Sequence, residues 1–271
     1  MTLVSTNWLN KNLNKVKIID ASWHLMKNRN AIEEYNKEHI ENAIFFDLDK
    51  NSNQKKDLPH GHVLPSSSDH EKNMSGMGIS NSDRIIIYCF SDLISSCRAW
   101  FQLIYFGHDP KLISVLNGGM KKWKLEGRKV TNFKTKIIPS QYKARENKNM
   151  IKVKSQIDEN IKKKEFTVVD GRSKNRFLGL EPEPRPGLRS GSIEESKSIP
   201  LSEIVNMKDN TFLETEKLRD IFNSSEISSN KIVMSCGSSV TAASLALAYS
   251  LINDDYIPKI YIGSWTEFGK K

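Results

Sequence analysis

Cysteine is scarce in this chain, with three in 271 residues and no Cys-X-X-Cys spacing among them. An odd, widely spaced set excludes a disulfide framework and a cysteine-rich zinc site, and it leaves at least one thiol free. Long apolar runs are missing too. Ile85 to Phe90 and Ala242 to Tyr249 are the longest, far short of a bilayer span. Met1 to Asn14 has no basic start followed by an apolar core, so nothing there reads as a secretory signal and a cytoplasmic protein is the expectation. Clustered His and Cys at ligand spacing are absent, as is a phosphate-binding glycine fingerprint; the expectation is therefore no metal and no cofactor.

What remains is the composition of an ordinary globular protein, 38% hydrophobic and 27% charged. Its length is comfortable for two domains, each with a core of its own. The formal charge of +9 comes from lysines scattered along the chain and mixed with acids. Without a basic stripe interleaved with aromatics, that pattern does not read as nucleic-acid binding, although it helps attract anionic substrates.

Two halves follow one script. Each opens on a β-branched run ending in an acid, Val16 to Asp20 and Phe166 to Asp170. Each then reaches an X-Ile segment before an apolar stretch, His39-Ile40 ahead of Ala43 to Phe46 and Ser192-Ile193 ahead of Ile199 to Leu201. An apolar strand stopping at a cysteine follows, Arg84 to Cys89 and Lys231 to Cys236, and then a helical pattern. Gly118-Gly119 with Trp123 closes the first half, and Gly263-Ser264-Trp265 closes the second. Strands alternating with helices predict an α/β fold, two tandem domains each with a mainly parallel sheet flanked by helices. The expected boundaries are 1–130 for the first domain and 151–271 for the second. Residues 131–150, polar and without apolar period, form the expected exposed linker. Gly179 to Gly187, with three prolines, must be a stiff loop.

In an open α/β sheet, ligands bind where strands end and the chain turns toward the next helix. Cys236 occupies such a turn. Gly237, Ser238 and Ser239 after it are small enough for successive backbone N–H groups to share one concavity, and a helix from Val240 to about Ile252 aims its positive end there. Such a nest favours a thiolate and would hold a persulfide or an oxyanion. A buried structural cysteine is the plain alternative. Cys89 lacks this setting, because Phe90-Ser91-Asp92-Leu93-Ile94 is bulky, acidic and free of glycine; it reads as structural, as does Cys97.

The loop Cys236-Gly237-Ser238-Ser239-Val240-Thr241-Ala242 resembles the active-site loop of 3-mercaptopyruvate sulfurtransferases, tandem-domain members of the rhodanese (thiosulfate sulfurtransferase) family. That family writes it Cys-Gly-Ser-Gly-Val-Thr-Ala, and six of the seven positions match; Ser239 stands where the family has Gly. The likeness extends over nearly the whole chain. It includes Leu3-Val4-Ser5-Thr6 with Trp8-Leu9, Asp20-Ala21-Ser22-Trp23, Phe45 to Asp49, Arg98-Ala99-Trp100, Phe106 to Asp109 and Val115 to Gly119. Arg176-Phe177, Gly179 to Arg185 and Gly263 to Gly269 continue it. The family's His-Ile-Pro-Gly turn has become Ser192-Ile193-Glu194-Glu195, and Ile262 replaces a usual Asp.

The resemblance implies a sulfurtransferase that takes sulfur from 3-mercaptopyruvate onto Cys236 and passes it to a thiol, such as that of a thioredoxin-like protein, or to cyanide. It implies that Arg176 and Arg185 bind the carboxylate and keto oxygen, with Gly237, Ser239, Val240 and Thr241 shaping the donor site. It further implies a Ser238–His62–Asp49 relay across the domain interface, with His60 as a rival to His62. The alternatives are a thiosulfate-preferring rhodanese, whose loop typically carries basic side chains after the cysteine, and a non-turnover sulfur carrier. Phosphate-ester chemistry on the related fold requires an arginine closing a Cys-X5-Arg loop, and Ala242 stands at that place.

Overall fold

Each β-branched run becomes a strand of a parallel sheet. In the computed structural model, which describes residues 2–25, 28–53, 61–227 and 231–271, the chain divides into two units. The first comprises Met1–Asn53, Leu64–Asn147 and Met207–Thr211; the second comprises Gln54–Val63, Lys148–Asn206 and Phe212–Lys271. His60 lies outside the described residues.

The first unit is built on strands β1 (Leu3–Val4), β2 (Lys17–Asp20), β3 (Ala43–Phe45), β4 (Ile85–Tyr88) and β5 (Ile113–Leu116). Their order is β1-β5-β4-β2-β3, every pair parallel. The second sheet uses β6 (Ile151–Lys152), β7 (Thr167–Asp170), β8 (Lys197–Ser198), and, after the small pair β9 (Val205–Asn206) and β10 (Thr211–Phe212), β11 (Ile232–Ser235) and β12 (Ile260–Tyr261). Its order is β6-β12-β11-β7-β8, again all parallel. Strand for strand the two sheets share one permutation, so the duplicated script of the sequence is a duplicated topology.

Parallel strands covered on both faces must be apolar throughout, and Ile85, Ile86, Ile87 and Tyr88 are all fully buried. Ile232, Val233 and Met234 repeat the pattern. Cys89 and Cys236 each fall one residue beyond the end of the fourth strand of their sheet. From there the helix Val240–Ser250 runs through the second unit with nine of its eleven residues buried, which is why its sequence is apolar on every side. Trp123 and Trp265 close the two cores and are among the largest fully buried side chains.

The stretch 131–150 has little regular structure before the short 3-10 helix Lys148–Met150, and it is not wholly exposed: Tyr142 and Met150 are buried. Tyr142 packs edge-on to His70, with ring centroids 5.3 Å apart, and stacks with His108 at 5.8 Å. His70 also stacks on Phe106 at 4.1 Å. Its Nδ1 lies 3.4 Å from the amide nitrogen of Gln102, while its Nε2 is buried with no hydrogen-bond partner. Burial, reinforced by the charges of His108 and Arg98, lowers the His70 pKa to about 3.

A histidine held neutral in the folded state contributes stability that is present above its ordinary value near 6.5 and is lost as pH falls toward the folded value. At pH 4.5 that loss amounts to about 2–3 kcal/mol. We predict that urea unfolding between pH 7 and pH 4.5 shows a steep fall in stability for the wild type and a shallower one for His70→Phe. Parallel pH profiles for the two proteins would refute this account.

Candidate active site

The loop after β11 is held by the first turn of the last helix, Ser264–Phe268. Amide groups at a helix start lack intrahelical acceptors. Here the N–H of Trp265 donates to the carbonyl of Cys236 and that of Thr266 to the carbonyl of Gly237, both at 2.9 Å. Across a planar trans peptide the N–H points opposite to the carbonyl. Fixing these two carbonyls toward the last helix therefore turns the N–H groups of Gly237 and Ser238 to the other side. The amides flanking them, of Cys236 and Ser239, approach Ser264 Oγ at 3.4 and 3.2 Å, and that hydroxyl donates its own proton to the carbonyl of Tyr261 at 2.8 Å. Ser239 then enters the left-handed region, φ 63° and ψ 4°, and caps the helix beginning at Val240 and Thr241. The amides of that first turn and the positive end of an eleven-residue helix converge on the same loop.

Two guanidinium groups stand over Gly237. A Cβ built on Gly237 would lie 3.2 Å from Arg185 Nη1 and 3.3 Å from Arg176 Nη2, so glycine here permits the close approach. Arg185 Nη2 donates to Ser238 Oγ at 3.0 Å, and His62 Nδ1 lies 3.0 Å from the same oxygen. A guanidinium only donates, so Ser238 Oγ accepts from Arg185, and in the tautomer of His62 that carries its proton on Nε2 the Ser238 hydroxyl donates to Nδ1. The backbone carbonyl of His62 also accepts from Ser239 Oγ at 3.3 Å. His62 is 1% exposed and Cys236 2% exposed.

Arg176 is fixed from behind. Its Nε and Nη2 donate to Glu183 at 3.2 and 2.6 Å, and the same carboxylate accepts from Arg172 Nη1 at 2.7 Å. Arg172 in turn grips Asp170, the last residue of β7, through Nε and Nη2 and lies over the Trp265 ring at 4.2 Å. Burial works against the Arg172 charge, but the carboxylates of Asp170 and Glu183 outweigh it and hold its pKa above the ordinary value. The Pro-rich segment Gly179 to Gly187 is indeed an irregular loop, and it carries Glu183 and Arg185 into this arrangement.

The corresponding edge of the first sheet is organised differently. Asp20 accepts from the backbone N–H and the hydroxyl of Ser22 rather than from a guanidinium, and burial raises its pKa. Burial likewise raises the Cys89 thiol, which approaches Ser96 Oγ at 3.4 Å. Asp49 is exposed in the turn after β3 and accepts from the Trp23 indole N–H at 3.1 Å.

The second unit thus brings Cys236, Gly237, Ser238, Ser239, Arg176, Arg185 and His62 together, with Val240 and Thr241 opening the helix behind them. Asp49 belongs to the first unit. Sequence reasoning missed Arg172, Ser264 and Glu183 as supports. An arginine two residues beyond a strand-terminal acid, and a glutamate clamped between prolines, were the available signals. Glu195, where the family turn has Gly, takes φ 60° just as Ser239 takes φ 63°.

Known proteins are similar to this chain over nearly its whole length. The Rhodanese-like domain model matches residues 5–126. Thiosulfate/3-mercaptopyruvate sulfurtransferase 1, mitochondrial, of Arabidopsis thaliana is 34% identical over 98% of this chain and 75% of its own length. Thiosulfate sulfurtransferase of Rattus norvegicus is 33% identical over 99% of this chain and 92% of its own. A crystal structure of a 3-mercaptopyruvate sulfotransferase from Escherichia coli, described as having the rhodanese fold, superposes with a TM-score of 0.86. It is 28% identical and covers 98% of this chain and 99% of its own.

Position 239 offers a stability test. An L-residue with a Cβ in the left-handed region costs roughly 1 kcal/mol, and glycine escapes it. Ser239→Gly is expected to unfold at higher urea than Ser239→Ala, by about 1 kcal/mol in stability. Identical midpoints would mean that the loop leaves the left-handed region when the serine is removed, or that the greater freedom of glycine in the unfolded chain offsets the relief.

Proposed function

Since the chain belongs to the thiosulfate/3-mercaptopyruvate sulfurtransferase family of tandem rhodanese-fold enzymes, we propose that it transfers sulfur from 3-mercaptopyruvate to Cys236 and onward to a thiol or cyanide. Our choice of donor rests on one observation: two guanidinium groups stand over Gly237, while the loop side chains beside the cysteine are uncharged. An α-keto acid presents a carboxylate and a neighbouring carbonyl, acceptors suited to two donor forks. Thiosulfate concentrates two charges next to the cysteine, where Gly237 and Ser238 offer none.

In the first half-reaction the Cys236 thiolate attacks the thiol sulfur of the donor. A sulfur–sulfur bond forms, the carbon–sulfur bond breaks, and its electron pair passes to carbon as the enolate of pyruvate. Arg176 and Arg185 orient the acid and stabilise the enolate oxygen. The proton that the donor thiol brings on its sulfur passes through Ser238, hydrogen-bonded to His62, to the enolate carbon, giving pyruvate and leaving the persulfide as an anion. The amides of Gly237 and Ser238 and the helix end support the anionic persulfide left behind. An acceptor thiolate or cyanide then takes the outer sulfur and restores the Cys236 thiolate.

Incubated with 3-mercaptopyruvate, the wild type is expected to release pyruvate and gain the mass of one sulfur atom, lost again when a dithiol is added. Cys236→Ser should do neither, and equal behaviour of the two proteins would remove the assignment. Measured side by side, kcat/KM for mercaptopyruvate is expected to exceed that for thiosulfate; the reverse order makes thiosulfate the donor.

A further inference from the structure

Glu183 does more in this arrangement than support a loop. Its carboxylate is spanned by two guanidinium groups, from Arg172 at 2.7 Å and from Arg176 at 2.6 Å. The Arg172, Asp170 and Glu183 side chains are 1%, 2% and 1% exposed, so water does little to screen them. Two guanidinium groups against two carboxylates leave the cluster with no net charge. Arg176 therefore reaches the Gly237 loop with its direction fixed and its charge already balanced. An anion placed there gains hydrogen bonds from Arg176 but little net Coulomb attraction. A second negative charge on that anion gains nothing further from Arg176 and meets the Glu183 carboxylate just behind it. Pro182 and Pro184 restrict the backbone on both sides of Glu183, which keeps the carboxylate in place when a donor arrives.

We propose that Glu183 is a specificity-determining residue: by cancelling the charge of Arg176 while holding its guanidinium at the loop, it favours monoanionic sulfur donors over dianionic ones. This rests on the donor reading given above and adds the residue that enforces it. Glu183 touches no donor atom in this account. It acts through Arg176.

The test compares kcat/KM for thiosulfate with that for mercaptopyruvate in wild type, Glu183→Gln and Glu183→Asp. Glutamine keeps a hydrogen-bonding side chain of the same shape and removes the charge. The thiosulfate-to-mercaptopyruvate ratio is expected to rise about tenfold, the effect of one charge in a shielded site. Aspartate keeps the charge on a shorter stem, and both constants should fall with the ratio held within about twofold. A merely structural role would lower both donors alike in the glutamine variant and leave the ratio unmoved, which overturns the proposal. Should circular dichroism show that Glu183→Gln does not fold, the wild type is probed with sulfate and methanesulfonate as competitive inhibitors. These are tetrahedral anions of charge two and one, and comparable inhibition constants are expected; sulfate binding tighter by about tenfold overturns the idea. A wild type that prefers thiosulfate would end the donor reading, whereas the shift on Glu183→Gln is judged independently of that ranking.

Discussion

Two hydrogen bonds govern the proposed site. The carbonyls of Cys236 and Gly237 are drawn to the first-turn amides of Trp265 and Thr266, and peptide planarity then dictates where the intervening N–H groups point. A strand end followed by small residues could turn in many ways. Anchoring both carbonyls removes most of them and makes an electropositive concavity from uncharged backbone. The anchor is itself economical, because a short helix has unsatisfied amides at its start whether or not they are used. Ser264 completes it by standing between the amides of Cys236 and Ser239.

Around this loop, charge is arranged in layers. Nearest are the guanidinium groups of Arg176 and Arg185; behind Arg176 lies the Glu183 carboxylate, then Arg172, then Asp170 at the end of β7. From Arg176 inward each charge is compensated by the next, which is how these ionised groups are tolerated with so little water. The first sheet shows what the same topology looks like without that arrangement. Ser22 sits where Arg172 would be, Asp20 is satisfied by hydroxyl and amide, and the cysteine after β4 is a buried thiol whose pKa burial raises.

Much of this was legible beforehand. The acid-terminated β-branched runs and the strands stopping at Cys89 and Cys236 are local signals, and they translated into two sheets with one strand order. The contrast between a small-residue loop and the bulky Phe90 to Ile94 segment was equally local. What stayed hidden depends on partners distant in sequence or on side-chain direction. Nothing in Asp-Gly-Arg at 170–172 says that the arginine folds back on its own aspartate and reaches Glu183. The polar stretch 131–150 gave no hint that Tyr142 is buried between two histidines, since one aromatic among lysines makes no periodic pattern. His62, assigned by resemblance to the first domain's contribution, groups with the second unit because its contacts are with the Ser238–Ser239 turn.

Ser239 carries a consequence that lies in the unfolded chain. Glycine at that position would fit the left-handed turn freely, but it would also give the opened loop many more conformations to lose on closing. A serine narrows that ensemble, and its hydroxyl ties the turn to the His62 carbonyl. Whenever the loop opens locally, it returns from fewer alternatives. For the loop that begins at Cys236, this shortens the search for the same set of amides each time it closes.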